Sequence, residues 1–274
     1  MLEGRGGGGA LLARVRRGLC AAKAAAVRYR AVLFDLFDTL VRFDRNRLPE
    51  VRVDGRVIRS TAGQLHQAFR PFAPGVELTE FVEALTWSWQ EAERVRGETL
   101  REVAAPERLR LLIGRLGLEV SLLAPDAIPA LLATHMRELS KAVVLPPHHA
   151  ALLRDLRGRH RLAVVSNFDY TPTACGILER EGIIHLFETV VVSDEVGWRK
   201  PQPLIFETAL RRLGVSAGEA VYVGDRADID VAGAQGVGMD AVWINRDASA
   251  LPPGIRPPEF EIRDLEELTR IVGT

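Results

Sequence analysis

The sequence contains few cysteines and no long hydrophobic run. Only Cys20 and Cys175 occur in 274 residues, and neither belongs to a CxxC or a Cys/His pattern. This scarcity argues against a disulfide scaffold and against a cysteine-based zinc site, and it is typical of a protein from a reducing cytoplasm. Because no apolar run approaches the ~20 residues that span a bilayer, we expect no membrane-spanning segment.

Lysine is also scarce, and the charges balance. Lys23, Lys141 and Lys200 are the only lysines among the 36 basic residues, and 36 acidic residues bring the formal net charge to zero. A neutral chain gains no help from its overall field in binding nucleic acid or an anionic membrane, so we expect neither partner. With 47% hydrophobic residues, the chain is long enough for one large domain or two smaller ones. We therefore expect a small-molecule partner, and the sequence leaves open a monomer or a homodimer.

Residues 1–29 differ from the rest of the chain. A glycine run is followed by a basic, alanine-rich stretch with almost no acidic residue. Three interpretations are compatible with this composition: a flexible, dispensable extension, a start site placed too far upstream, or an organellar transit peptide. The absence of serine before Ser60 favours the flexible extension.

From Arg30 onward, short apolar runs alternate with amphipathic stretches. Apolar runs without polar alternation predict strands that are covered on both faces, which is typical of a parallel sheet. The amphipathic stretches predict helices, so the fold class is α/β, with a Rossmann-like parallel sheet as its core. The predicted strands cover residues 31–35, 162–166, 189–193, 220–224 and 241–245, and the helices between them cover residues 149–157, 172–181, 203–213 and 229–234.

The segment after the first strand is too long for one crossover helix. Between residues 45 and 145 the pattern predicts four amphipathic helices, with prolines between them. We therefore expect a helical cap domain at residues 45–145, inserted into a core domain that is formed by residues 30–44 and 146–274. The predicted cap helices cover residues 58–69, 79–96, 106–116 and 126–141.

Residues suited to chemistry follow the predicted strands. In an open parallel sheet, the ligand crevice lies beyond the carboxyl ends of the strands. Asp35 ends the first strand, Ser166 and Asn167 end the second, Lys200 follows the third, and the acidic segment 224–230 follows the fourth. Each of these is ordinary turn or cap material when taken alone. Together they predict one site at this edge of the sheet.

Four segments around these residues carry a family resemblance: FDLFDTL, VVSN, RKPQPLIF and VGDRADIDVAGA. They resemble the four motifs of the haloacid dehalogenase superfamily of hydrolases, over about residues 30–247, in the group with a helical cap after the first strand. The resemblance implies that Asp35 is a nucleophile that forms an aspartyl phosphate. It also implies that Mg²⁺ is held by Asp35, the Phe37 carbonyl and Asp225, with Asp230 fixing ion-bound waters.

The same resemblance implies how a substrate is bound. Ser166 and Asn167 would bind the transferring oxygens, and Lys200 would neutralise the charge that develops there. Thr39 lies in the loop after the nucleophile and would support both its geometry and the bound substrate.

Position 37 departs from the family's phosphatases, in which a second aspartate acts as acid and base at this position. Here it is Phe37, and general acid–base catalysis is typically worth ~10²–10⁴ in rate. Four explanations are open: a leaving group that needs no proton, another acid such as Asp38, Asp169 or a cap residue, dehalogenation, or ligand binding without turnover. Dehalogenase relatives have an aromatic residue at this position, but they need no metal and lack the acids found here at Asp225 and Asp230. We therefore expect a Mg²⁺-dependent phosphatase that acts on a small phosphorylated metabolite.

The six histidines do not indicate a metal site. None of them shows the spacing of a ligand pair. We therefore expect surface or packing roles for His66, His135, His148, His149, His160 and His185.

Overall fold

The computed structural model describes residues 28–272. Most of the predicted extension, residues 1–27, lies outside the described residues, as do residues 273–274. Tyr29, the last residue assigned to that extension, belongs to the core: it is 1% exposed, and its hydroxyl donates to Asp240 at 2.6 Å. The packed part of the chain therefore begins before Arg30.

The central sheet has six strands, all parallel, in the order β10-β9-β8-β1-β6-β7. All five predicted strands are present, and the prediction of a Rossmann-like α/β fold is confirmed. The sequence pattern does not predict the edge strand β10, because three residues with a central glutamate form too short a run. The strands of the described residues are β1 Ala31–Phe34, β2 Arg42–Phe43, β3 Glu50–Val53, β4 Arg56–Arg59, β5 Val143–Val144, β6 Arg161–Ser166, β7 Thr189–Val192, β8 Ala220–Gly224, β9 Asp240–Ile244 and β10 Phe260–Ile262.

Helices cover both faces of this sheet. In β1, Val32 and Phe34 pack into one hydrophobic cluster, and Ala31 and Leu33 pack into another on the opposite face. No described helix combines the length and the apolar character needed to cross a membrane. The α-helices are α1 Ala62–Phe69, α2 Leu78–Thr99, α3 Ala105–Arg115, α4 Ala127–Lys141, α5 Pro147–Arg157, α6 Thr171–Arg180, α7 Ser193–Val196, α8 Pro203–Leu213, α9 Ala232–Gly236 and α10 Thr269–Val272, and a π-helix covers Ala227–Val231.

Helices α1 to α4 form a separate layer with its own hydrophobic cluster, which includes Phe81, Leu109 and Leu131. Three of them begin and end within a few residues of their predicted bounds. The prediction of a helix from residue 58 is wrong in its first turn, because β3 and β4 form an antiparallel hairpin there. Asp54 and Gly55 both have positive φ, which is typical of the tight Asp-Gly turn that joins such strands.

Candidate active site

The loop after β1 places Asp35 at the carboxyl edge of the sheet. Its backbone N–H donates to the Val223 carbonyl at 2.9 Å, which continues the pairing of β1 with β8 by one residue. The chain then turns sharply, because the N–H groups of Leu40 and Val41 both donate to the Leu36 carbonyl. The turn leaves Asp35 buried beyond the end of its strand, where a parallel sheet binds ligands.

Lys200 binds this carboxylate from the loop between α7 and α8. Its Nζ lies 2.6 Å from Asp35 Oδ1, 2.8 Å from Asp230 Oδ1 and 2.8 Å from the Tyr222 hydroxyl. Burial opposes the charged form of Lys200, but the carboxylates of Asp230 and Asp35 outweigh it and raise the pKa of the ammonium. The lysine is therefore charged, buried and held between two acids.

Asn167 fixes the backbone that carries this lysine. Its side-chain oxygen accepts from the Lys200 N–H at 2.7 Å, and its side-chain nitrogen donates to the Lys200 carbonyl at 3.0 Å. The amide is thus occupied by the lysine backbone, and direct binding of a substrate oxygen by Asn167 stays a prediction.

Two hydroxyl groups in this region have no hydrogen-bond partner among the described residues. Ser166, at the end of β6, and Thr39, in the loop after Asp35, are each 1% exposed, and the Oγ of each is unsatisfied. A buried hydroxyl without a partner costs about 1–3 kcal/mol. A bound anion at this edge of the sheet would relieve that cost.

Asp225 and Asp230 complete an acidic cluster beyond β8. A Cβ at Gly224 would overlap the Asp230 side chain, so a glycine is required for the carboxylate to lie against the backbone here. Asp230 Oδ2 accepts from the Arg226 N–H at 3.0 Å. Asp35, Asp225 and Asp230 each offer one ligand atom, and these atoms lie within 4.8 Å of one another.

Two of these acids, Asp35 and Asp225, have raised pKa values, and burial is the main cause in both. Burial raises the pKa of Asp35 to about 7, against the lowering effect of Lys200. Burial and the charge of Asp230 raise the pKa of Asp225 to about 6. The cluster is therefore short of positive charge, even with the lysine in place.

This donor set fits Mg²⁺. The ligands are carboxylate oxygens, which a hard divalent cation prefers, and a cation would remove the repulsion among them. Asp35, Asp225 and Asp230 are the side chains that could hold it, and participation of the Phe37 carbonyl stays a prediction. Phe37 itself packs its ring against Phe168, with the ring centroids 5.0 Å apart.

A cleft of about 610 Å³ lies between the helical layer and the loop after β6. It reaches Asn167 and Phe168, the residues that follow Ser166. The next residue, Asp169, is buried and lies 3.1 Å from Arg108 Nε and 3.4 Å from Arg96 Nη2. These ion pairs connect α2 and α3 to the loop that borders the site.

The structure brings together Asp35, Ser166, Asn167, Lys200, Asp225 and Asp230 around the ends of β1, β6 and β8. Sequence reasoning missed Tyr222, which sits within β8 and whose hydroxyl donates to the Val165 carbonyl at 2.9 Å. The sequence could have indicated this residue, because a tyrosine in a strand that is covered on both faces needs a hydrogen-bond partner for its hydroxyl.

Comparisons with known proteins agree with this architecture. Glyceraldehyde 3-phosphate phosphatase of Methanopyrus kandleri is 48% identical over 98 residues, which are 35% of this chain and 42% of that protein. Phosphoserine phosphatase of Thermus thermophilus is 33% identical over 211 residues, which are 72% of this chain and 78% of that protein. The first match therefore spans less than half the length of the relative, whereas the second spans most of it.

Solved structures and family patterns extend the likeness to most of the chain. The crystal structure of the HAD-hydrolase YfnB from Bacillus subtilis, bound to magnesium, superposes with a TM-score of 0.59 at 25% identity and covers 90% of this chain and 100% of that one. A family model described as haloacid dehalogenase-like hydrolase matches residues 29–238. The chain therefore belongs to the haloacid dehalogenase-like hydrolases.

Proposed function

We propose that this hydrolase is a Mg²⁺-dependent phosphatase that cleaves a small phosphorylated metabolite through an aspartyl phosphate on Asp35. The observation that carries the proposal is the acidic cluster: three carboxylates with ligand atoms within 4.8 Å of one another, two of them bound by a buried lysine. Two relatives whose names specify phosphatases, and a magnesium-bound structural relative, support it. Residues 45–145 would act as the helical cap that encloses the substrate.

The residues of the chain suggest how the two steps proceed. A carboxylate oxygen of Asp35 attacks phosphorus, the P–O bond to the leaving group breaks, and the leaving oxygen takes a proton. Water then attacks phosphorus and breaks the bond to Asp35, which releases inorganic phosphate. Bound Mg²⁺ would screen the repulsion between the attacking carboxylate and the anionic substrate.

Lys200 and Ser166 would act on the transferring group. The ammonium of Lys200 orients Asp35 through its 2.6 Å contact and would neutralise charge on the phosphoryl oxygens. The unsatisfied Oγ of Ser166 would donate to one of these oxygens.

Phe37 has no proton to give to the leaving group, so another residue must supply it. Asp169 is a poor candidate. Asp169 is buried, and its carboxylate is already engaged in the ion pairs with Arg96 and Arg108. Asp38 is exposed, and its charge contributes to the raised pKa of Asp225, behind burial and Asp230. Asp38 is therefore the better candidate, unless the substrate has a leaving group that needs no proton.

Dehalogenation is the second candidate, because Phe37 and Phe168 form an aromatic wall where a phosphatase would hold its acid. The acidic cluster opposes it. Packed carboxylates repel one another, and a reaction that needs no cation would gain nothing from them.

The test measures phosphate release from a panel of phosphate monoesters and acyl phosphates, with Mg²⁺ and with chelator. We expect Mg²⁺-dependent turnover in the wild type and its loss in Asp35→Asn. The matched control is Asp228→Asn, which removes an exposed acid that pairs with Arg226 in the same segment and should keep activity. Halide release from 2-haloacids in chelator would favour dehalogenation. Equal inactivity of the wild type and Asp35→Asn on every substrate would favour ligand binding without turnover.

The cytoplasmic location and the monomeric or homodimeric state belong to this proposal as predictions. A protein of this kind would meet its metabolite in the cytoplasm. Sedimentation of the full chain decides between the two oligomeric states.

A further inference from the structure

A second cluster of metal-binding side chains lies outside the carboxylate site. His148 and His149 occupy the first turn of α5, and Asp264 precedes the 3₁₀ helix Leu265–Leu268 near the other end of the chain. Each of the three offers one ligand atom, and these atoms lie within 4.8 Å of one another. His148 Nε2 is 3.0 Å from Asp264 Oδ1, and the two imidazole rings meet edge to face with centroids 4.5 Å apart.

The hydrogen bonding of His149 leaves one ring nitrogen bare. Its Nδ1 lies 2.8 Å from the Leu40 carbonyl oxygen, and a carbonyl only accepts, so Nδ1 carries the proton. In the neutral imidazole, Nε2 is then an acceptor. The side chain is fully buried, and Nε2 has no hydrogen-bond partner among residues 28–272.

This arrangement is the one that orients histidine ligands in metal sites, where the second ring nitrogen donates to a backbone carbonyl or a carboxylate. A buried acceptor without a partner is unfavourable, and a cation at Nε2 would satisfy it. We propose that His148, His149 and Asp264 form a second metal site, which binds a zinc-like divalent cation.

The donor set distinguishes this site from the carboxylate cluster. Two imidazoles and one carboxylate suit Zn²⁺ or Co²⁺, whereas Mg²⁺ prefers oxygen ligands. Three protein ligands leave a fourth position for water. A groove of about 540 Å³ lined by His148 and Asp264 gives the ion an access route. Asp155, Glu266 and Glu267 outnumber the one arginine on its walls, Arg270, so the groove favours a cation.

The site would join two distant parts of the chain. Asp264 and His148 are 116 positions apart, and His149 is bonded to Leu40 in the loop that follows Asp35. Zinc would therefore cross-link the C-terminal segment to the start of α5, behind that loop. We expect zinc to raise the thermal stability of the protein without taking part in the reaction.

The test uses the full chain, stripped of metal with a chelator and returned to buffer with saturating Mg²⁺, which occupies the carboxylate site. Zn²⁺ binding is measured by calorimetry, and Co²⁺ binding by its visible absorption. We expect one equivalent of Zn²⁺ in the wild type and in Asp225→Asn. His148→Gln and Asp264→Asn should each weaken binding at least about tenfold. The matched control is His185→Gln, which changes an exposed histidine outside the cluster.

Two results would overturn the second site. One is the absence of Zn²⁺ binding under saturating Mg²⁺, which would leave only the hydrogen bond between His148 and Asp264. The other is binding that persists in His148→Gln and disappears in Asp225→Asn, which would place the zinc at the carboxylate cluster. Mg²⁺-dependent phosphatase activity in His148→Gln should equal that of the wild type, so failure of this site and failure of the proposed function are distinguishable.

Discussion

Replacing Lys200 by methionine tests the charge balance of the candidate site most directly. The ammonium lies 2.6 Å from Asp35 and 2.8 Å from Asp230, and only 2% of its side chain is exposed. At an effective dielectric constant of 20, one unit-charge pair at this separation interacts by about 6 kcal/mol. Relaxation and protonation of the freed acids recover part of this, and breaking a buried pair costs about 3–5 kcal/mol. We expect Lys200→Met to lower the free energy of unfolding of the metal-free protein by about 3–5 kcal/mol.

The assay is urea denaturation followed by circular dichroism, near neutral pH, with chelator and with Mg²⁺. The matched control is Lys141→Met, because Lys141 lies 2.8 Å from Glu138 but is 60% exposed, and such surface pairs contribute about 0–1 kcal/mol. Mg²⁺ bound at the same carboxylates would supply positive charge there, so we expect it to reduce the loss of unfolding free energy caused by Lys200→Met. Equal losses in the two variants, or a deficit that Mg²⁺ leaves unchanged, would refute this reasoning.

Three further predictions concern neighbouring positions. Phe37→Asp places a carboxyl at the position of the missing acid and should raise Mg²⁺-dependent turnover by up to about 10²-fold. Phe37→Leu, the control, also removes the ring contact with Phe168 and should not raise turnover. Steady-state rates equal to wild type in both variants would show that another group already protonates the leaving group. Asp225→Asn should raise the free energy of unfolding of metal-free protein by about 1–2 kcal/mol near neutral pH. Burial raises the pKa of this carboxyl to about 6, so the folded protein holds a proton there more tightly than the unfolded chain does. The stability that this protonated carboxyl contributes is present below its unfolded pKa and is lost as the pH rises through about 6. A difference in unfolding free energy between Asp225→Asn and wild type that does not vary with pH would contradict this. Gly224→Ala should lower the free energy of unfolding by about 1–3 kcal/mol and weaken Mg²⁺ binding, because the new Cβ would overlap the Asp230 carboxyl. The control is Gly218→Ala, whose Cβ meets open space. Equal melting temperatures of the two variants would argue against the overlap.

Sequence patterns predict the sheet and the edge at which the site lies. Buried parallel strands are nearly continuous apolar runs, and polar residues such as Asp35 and Ser166 end them abruptly, so both the strands and their carboxyl ends can be read from the chain. The parallel arrangement then brings together residues that are far apart in sequence. This is why Asp35, Lys200 and Asp230 could be grouped before any contact was known.

Other features depend on pairings that no local pattern encodes. The bond between Asn167 and the Lys200 backbone depends on how two loops meet, and the ends of the strands do not determine it. The cluster at His148, His149 and Asp264 escapes spacing rules because its third member is 116 positions away. The Asp54-Gly55 pair is a sequence signal for the turn of the hairpin at residues 50–59. The apolar spacing of the residues that follow it predicts a helix instead.

The amide of Asn167 has a mechanical consequence for the enzyme. Because it hydrogen-bonds both the N–H and the carbonyl of Lys200, it couples the lysine loop to the end of β6. Two residues further on, Asp169 is anchored to α2 and α3 through Arg96 and Arg108. Any hinge motion of the helices over the sheet would therefore be transmitted to residues 167–169, which position the Lys200 ammonium at Asp35, so that opening the cleft would also disturb the contact between Lys200 and Asp35.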